Sequence, residues 1–449
     1  MDQQQSQEAK NGFKKSVDKA YLRAILASMK ILVQQACIID PQSPHHGKVQ
    51  DILIVDGVFK EIGNAISIKS DQVINQEGLH VSPGWVDVFA NFCDPGYEFK
   101  ETLETGANAA AAGGYTDVFV IPNTRPVIDT KAQVEYVRQK SRALPVSVWP
   151  IGAVTKNLEG KELAEMYDMQ NSGAAAFGDG IHPIQSSGLL LKALQYVKAF
   201  NGVIIQIPDD KSIGANGLMH EGIISTQLGL PGKPQMAEEL IIARDIKLAR
   251  YAESSIHFTG ITSIKSLEYI KRAKDSGLNI TCSVTPYHLF FTDEDLINYD
   301  PNLKVYPPLR PKQSVEALKK ALADGTIDCI ASHHLPHEYD SKVLEFENAK
   351  YGMTGLETSY SIIRMVLPDL SQEKLVDLLS TNPRRIFGMT PSTIKIGNAC
   401  SVSLFDPEKK WTLTDEQIRS KSRNTPFIGK ELIGKAIGII NGDEIFLNN

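Results

Sequence analysis

Seven side chains of this 449-residue chain are of types that do chemistry and stand near the ends of apolar segments: Cys93, Asp179, His182, His257, His333, His334 and His337. An imidazole exchanges protons near neutral pH or ligates a metal, and a carboxylate can do either. A metal centre needs three or four nitrogen, oxygen or sulfur ligands on one point, and spacing is the first test of that. His333 and His334 are adjacent, so on a continuing strand they face opposite sides and do not ligate together. His257 falls inside an apolar run at 255–259, the setting of a core histidine with its hydrogen bonds satisfied. Cys93 would need a neighbouring base and a lowered pKa to act as a nucleophile; an inert buried thiol is the expectation. Cys37, Cys282, Cys329 and Cys400 make no C-x-x-C pair, so neither a zinc knuckle nor a disulfide framework is expected.

The elements that must position these groups follow from periodicity. Apolar strand candidates occur at 85–90, 116–121, 147–151, 173–177, 203–207, 255–259, 279–284 and 327–332. Helical patterns at 105–112, 131–142, 187–199, 235–251, 264–276 and 314–323 separate most of them. Eight β/α units over residues 80–385 predict a (β/α)8 TIM-type barrel, an α/β fold. The rival doubly wound sheet lacks a G-x-G-x-x-G turn after its first strand. Strand-like runs return only at the two ends, with hairpin turns at Asp56-Gly57 and Asn441-Gly442-Asp443. Residues 30–79 and 386–449 are therefore expected to build one small β-sandwich-like domain. Residues 1–28 read as a polar leader, flexible or helical.

Composition excludes several classes of function. A formal net charge of −6 offers no basic patch for nucleic acid or an anionic membrane surface. No apolar run approaches the ~20 residues of a spanning helix, and no signal-peptide pattern opens the chain. A cytoplasmic protein with reduced thiols is expected.

A barrel enzyme keeps its reactive groups at the C-terminal ends of its strands. Those ends read Phe89, Asn91 and Cys93, then Pro122-Asn123-Thr124, then Gly178-Asp179-Gly180, with Ile207, Gly260 and Ser332-His333-His334 further on. Together with Thr285-Pro286-Tyr287-His288, Pro307-Pro308-Leu309-Arg310, Gly352-Met353-Thr354-Gly355-Leu356-Glu357 and Thr381-Asn382-Pro383-Arg384-Arg385, this order resembles the type I dihydroorotases of the amidohydrolase superfamily. The resemblance runs from about Met29 to the C-terminus. It implies reversible closure of carbamoyl-aspartate to dihydroorotate in pyrimidine synthesis, with zinc polarising the ring amide and supplying hydroxide. An Asp at the end of the eighth strand would shuttle the proton.

Carried over residue by residue, the family pattern finds its metal positions at Phe89, Asn91, Asp179, Ile207, Gly260 and His333. His333 also stands at the general-base position. Phe89, Ile207 and Gly260 have no side-chain lone pair to give a metal. Cys93 stands at the family's substrate-binding Arg, and Tyr306 at an Asn. On the substrate side Asn123, Arg310, His337 and Gly355 keep the pattern.

No cofactor and no catalysis are expected on this reading. The resemblance to non-catalytic members implies a structural or regulatory subunit with aspartate transcarbamoylase as partner, itself homo-oligomeric. Two other readings stay open. One is an active dihydroorotase, or another cyclic-amide hydrolase, with a rebuilt zinc site. The other is a protein that keeps a small anionic ligand on Asn123, Arg310 and His337.

Overall fold

The computed structural model describes residues 28–448. Of the 1–28 leader only Ser28 is among them, so that reading lies outside the described residues.

Eight parallel strands follow one another in chain order: Trp85–Ala90, Tyr115–Val120, Ser147–Gly152, Ala176–Phe177, Ile204–Gln206, Ile256–Phe258, Ile280–Val284 and Cys329–Ile330. The seam between the last and the first is closed by a parallel bridge of Ala90 with His334, where the Asn91 amide donates to the His334 carbonyl at 2.8 Å. Below that bridge Asp87 takes over the backbone's role. Its carboxylate accepts from the Ser332 amide at 2.6 Å and the Ser332 hydroxyl at 2.8 Å. Burial pushes Asp87 up to about 6, less than it would without those two donors. The eighth strand is therefore shorter than its apolar run at 327–332. Ser332 leaves the ladder for Asp87, and His333 turns into the left-handed region at φ 45°.

Phe89, Phe119, Ile151 and Ile205, from four different strands, join one apolar cluster with Ile207 and Ala331. This is the packed interior expected of a barrel. The helices lie outside it, and the first shows how the sequence makes them. Thr102 caps Leu103–Ala112 by accepting from the Thr105 amide, and alanines make up most of its buried face. Gly106 on that helix permits contact with the chain leaving the first strand. A Cβ there would stand 2.4 Å from Phe92.

The two chain ends share the second sheet, completing a (β/α)8 barrel with a small β-sandwich domain. Lys30–Ile38, Val49–Val55, Val58–Gly63, Gln72–Asn75 and His80–Pro83 come from one end. Ser401–Thr412, Glu431–Asn441 and Glu444–Leu447 come from the other. The two sets are joined where His80–Pro83 pairs antiparallel with Ser401–Thr412. The Asp56-Gly57 turn has φ of 50° and 69°, the double positive φ of a type I′ hairpin. Among the described residues no helix is long and apolar enough to cross a membrane.

Candidate functional site

At the C-terminal mouth of the barrel, Phe89 lies on the ring of His333 with centroids 4.4 Å apart and planes tilted 31°. Both side chains are buried. Gly260, at φ +72°, admits this pair, because a Cβ there would come within 2.8 Å of His333 Cε1. Ile207, also buried, joins the same apolar cluster as Phe89. The point on which strand-end donors would converge in a metal enzyme is occupied by an aromatic stack and an aliphatic side chain.

His333 ends a hydrogen-bonded relay. The Ser283 hydroxyl donates to Thr259 Oγ1 at 2.9 Å, so the proton on His257 Nε2 goes to Ser283 Oγ at 3.0 Å. Thr259 Oγ1 and His333 Nε2 share the next hydrogen bond, at 2.7 Å, and His333 Nδ1 is a buried nitrogen without a hydrogen-bond partner. Burial pushes His333 down to about 3, with the nearby His288 and His257 rings adding to the effect. At neutral pH the ring is uncharged, with Nε2 tied to Thr259 and Nδ1 shut away from solvent. A ring held down at about 3 is a poor base for a substrate proton. His257 matches the core-histidine expectation, with Thr281 Oγ1 on Nδ1 at 2.9 Å and no exposure.

The remaining family metal positions are tied into the scaffold. Asp179 accepts from the amides of Val154 and Thr155, both at 2.9 Å, and from the Thr155 hydroxyl at 2.5 Å. Its carboxylate thus holds the loop after the third strand, and burial pushes it up to about 6. Asn91 Oδ1 accepts from the Cys93 amide at 2.8 Å. His334 faces away from His333, toward Glu101 at 3.3 Å, while the Gly355 amide donates to its Nδ1 at 3.2 Å. Among the described residues no group of three or more His, Cys, Asp or Glu side chains could hold a metal ion. The residues present do not fit the zinc centre that the resemblance implies.

The four substrate-side residues do not converge. Arg310 is inside the protein, its guanidinium 3.7 Å from Glu238 and donating to Thr262 Oγ1 at 2.9 Å. Gly355 serves the backbone turn, where a Cβ would stand 2.8 Å from the Ser332 carbonyl oxygen. Asn123 and His337 alone face one cavity of about 470 Å³. Asn123 Oδ1 accepts from the Ile181 amide at 3.1 Å, bracing the loop that carries His182. His337 donates from Nε2 to the Tyr351 carbonyl at 2.9 Å and accepts on Nδ1 from Lys100 Nζ at 3.4 Å. Burial first, and the Lys100 charge second, push His337 down to about 4.

Asn91 and Cys93 also line this cavity, but burial pushes the Cys93 thiol well up, so it is an inert group. Tyr306 donates to Asp209 at 2.6 Å, and Asp209 in turn binds Lys233 at 2.8 Å. Sequence reasoning missed Lys100 and Lys350, two further lining residues that come from the segments after the first and the eighth strand. Lys100 was visible in Glu98-Phe99-Lys100-Glu101, just before the first barrel helix. Nothing in the sequence marked Lys350.

The Dihydro-orotase-like family matches residues 78–266. A dihydroorotase of Geobacter metallireducens is 39% identical over 421 residues, covering 93% of this chain and 99% of that protein. A dihydroorotase of Caldanaerobacter subterraneus subsp. tengcongensis is 40% identical over 410 residues, or 90% and 94% of the two chains. Among solved structures, L-hydantoinase from Arthrobacter aurescens superimposes with a TM-score of 0.82 at 23% identity. That match covers 93% of this chain and 96% of the other, and is a likeness of fold.

Proposed function

The chain belongs to the dihydroorotase family, and on that premise we propose that it serves pyrimidine biosynthesis without closing or opening the dihydroorotate ring itself. Its role is that of a structural or regulatory subunit, cytoplasmic and homo-oligomeric, assembled with aspartate transcarbamoylase. One observation carries this reading. The family's metal and base positions are filled by the Phe89–His333 stack, Ile207 and Gly260, and His333 is buried, uncharged at neutral pH and hydrogen-bonded to Thr259. Catalysis of amide hydrolysis needs a polarised carbonyl and an activated water, and these side chains supply neither. The outer scaffold remains intact around the filled centre, as a subunit kept for its surface requires.

A second reading is favoured by the relatives, which are named dihydroorotase and match over nearly their whole length. On it the chain is an active dihydroorotase or another cyclic-amide hydrolase, with zinc in a rebuilt site. That reading requires the Phe89–His333 stack to open.

The test is dihydroorotate hydrolysis by the purified chain, with and without added zinc, beside the Geobacter metallireducens protein. A companion arm mixes the chain with aspartate transcarbamoylase and reads co-elution on size exclusion. The expected result is no turnover in either condition together with a joint peak. Zinc-dependent turnover would establish the second reading instead. Separate elution would overturn the proposed partner.

A further inference from the structure

Two outer helices of the barrel pack side by side and differ in the face they turn to solvent. Ile264–Asp275 carries the ordinary solvated face, laced by Lys265–Glu268, Arg272–Glu268 and Lys271–Asp275 pairs. Its neighbour Met236–Ala252 buries Ile242, Ile246 and Ala249 in the main apolar core. Yet its outer side carries Met236 at 51% exposure, Leu240 at 47% and Tyr251 at 74%. Ala243 and the exposed Lys247 complete that line. At about 100° per residue, positions 236, 240, 243, 247 and 251 fall within an arc of roughly 80°. Among the described residues no ion pair joins side chains one turn apart on this helix. Arg244 turns instead to Asp245 and to the Ile184 and Gln185 carbonyls. Ile264, directly after the Ser263 that donates to Glu239, adds a further apolar side chain, 40% exposed.

The line is close to palindromic. A two-fold axis beside Ala243 and Arg244 lays a second copy of the helix antiparallel, with Met236 against Tyr251 and Leu240 against Lys247. Each pair then occurs twice, as an isologous contact requires. Methionine sulfur on a tyrosine ring is a favourable contact. The Lys247 stem covers Leu240 while its ammonium stays in water. Ala243, the smallest residue of the line, sits at the axis, where helices pack about 8–10 Å apart. Charge follows the same symmetry. Glu239 and Arg250 lie on one flank of the line, roughly 40–60° round the helix from Met236. The antiparallel arrangement sets Glu239 of each copy opposite Arg250 of the other, with an axial offset of about 3 Å. One Glu239 oxygen accepts from Ser263, which leaves the other for this contact, and Arg250 has only a 3.4 Å contact with Ser276 Oγ.

We propose that this helix face is the interface between two copies of the chain, paired antiparallel about a two-fold axis at Ala243. The apolar centre and the Glu239–Arg250 flank make the face complementary to itself, which is what a second copy offers and a chance partner does not. The inference deepens the homo-oligomeric reading given above and rests on it, adding the surface that makes the contact.

Sedimentation velocity of the full chain over a dilution series tests this, with circular dichroism on every variant to check folding. The parent is expected to be dimeric. Leu240→Glu, counted twice in a two-fold contact, is expected to raise the dissociation constant about a hundredfold, equal to about 2.8 kcal/mol. Val49→Glu, at a 60% exposed position of the other domain, is expected to leave the dimer unchanged. Glu239→Arg and Arg250→Glu should each weaken the dimer and the double variant should regain it, which a merely destabilised helix would not do. Ala243→Cys should yield a covalent pair of chains on mild oxidation. A folded Leu240→Glu variant that stays dimeric would overturn this face and leave the oligomeric reading standing. If that variant does not fold, the other two arms decide, and no rescue with no covalent pair would overturn the face. A parent that is monomeric at every concentration would overturn both readings.

Discussion

The substitution His333→Asn should change the stability of the protein by an amount that depends on pH in a defined direction. Asn is chosen because it tolerates the left-handed backbone at φ 45°. His333 titrates near 6.5 when unfolded and is pushed down to about 3 in the folded chain. A lowered histidine pKa means that the unfolded state binds the extra proton first. Its neutral form contributes fully above pH 6.5, and stability is lost as pH falls below that value toward 3. At pH 5, about 1.5 pH units below the unfolded pKa, that proton favours the unfolded state by about 2 kcal/mol. The asparagine variant binds no such proton. It should be less stable than the parent at pH 7.5, by roughly 1–3 kcal/mol for the lost stack on Phe89 and the lost hydrogen bond. That deficit should shrink by about 2 kcal/mol at pH 5. Urea unfolding of both chains at the two pH values measures it, and taking the difference between chains removes the contributions of Asp87, Asp179 and other shifted groups. An unchanged deficit would mean that the folded ring is already charged or is not desolvated, and the neutral relay from His257 to His333 would be wrong.

Further predictions test the surrounding scaffold. Arg310→Leu strands Glu238 without its buried partner and should cost about 3–5 kcal/mol by urea unfolding; an unchanged unfolding free energy would mean that the pair adds nothing to the fold. Arg384→Met breaks the 2.7 Å pair with Asp117 and should lower the unfolding free energy by a similar ~3–5 kcal/mol. Gly106→Val, meeting Phe92, should destabilise by ~1–3 kcal/mol or more, visible as a lower melting temperature; an unchanged melting temperature would mean that the helix and the first strand's exit pack more loosely. Cys93 should resist iodoacetamide in the native protein at pH 8 and react only after denaturation, as read by peptide mass spectrometry; rapid native labelling would contradict the burial of its thiol.

The barrel was legible because its strands are apolar runs separated by helical periodicity, and each run overlaps an observed strand. The ends of those strands were less legible. At 327–332 the apolar pattern continues, but the ladder stops when the Ser332 amide turns to Asp87, a partner 245 residues away. The lack of metal donors at Phe89, Ile207 and Gly260 could be read from residue type alone, since none carries a lone pair in its side chain. What type could not reveal was occupancy. Arg310 has the chemistry of an anion ligand, yet Glu238 and Thr262 already hold its guanidinium. His333 has the chemistry of a base, yet it is buried against Phe89 and hydrogen-bonded to Thr259. Lys350 went unnoticed for the opposite reason, because a lone lysine in a polar loop carries no local signal.

The most direct test of the central claim is zinc stoichiometry after equilibrium dialysis, read by elemental mass spectrometry on the same samples assayed for dihydroorotate hydrolysis. The account predicts less than about 0.1 zinc per chain and no turnover, because a stable site needs three or four convergent ligands. One or more zinc ions per chain, with hydrolysis that rises in proportion to the bound metal, would contradict it.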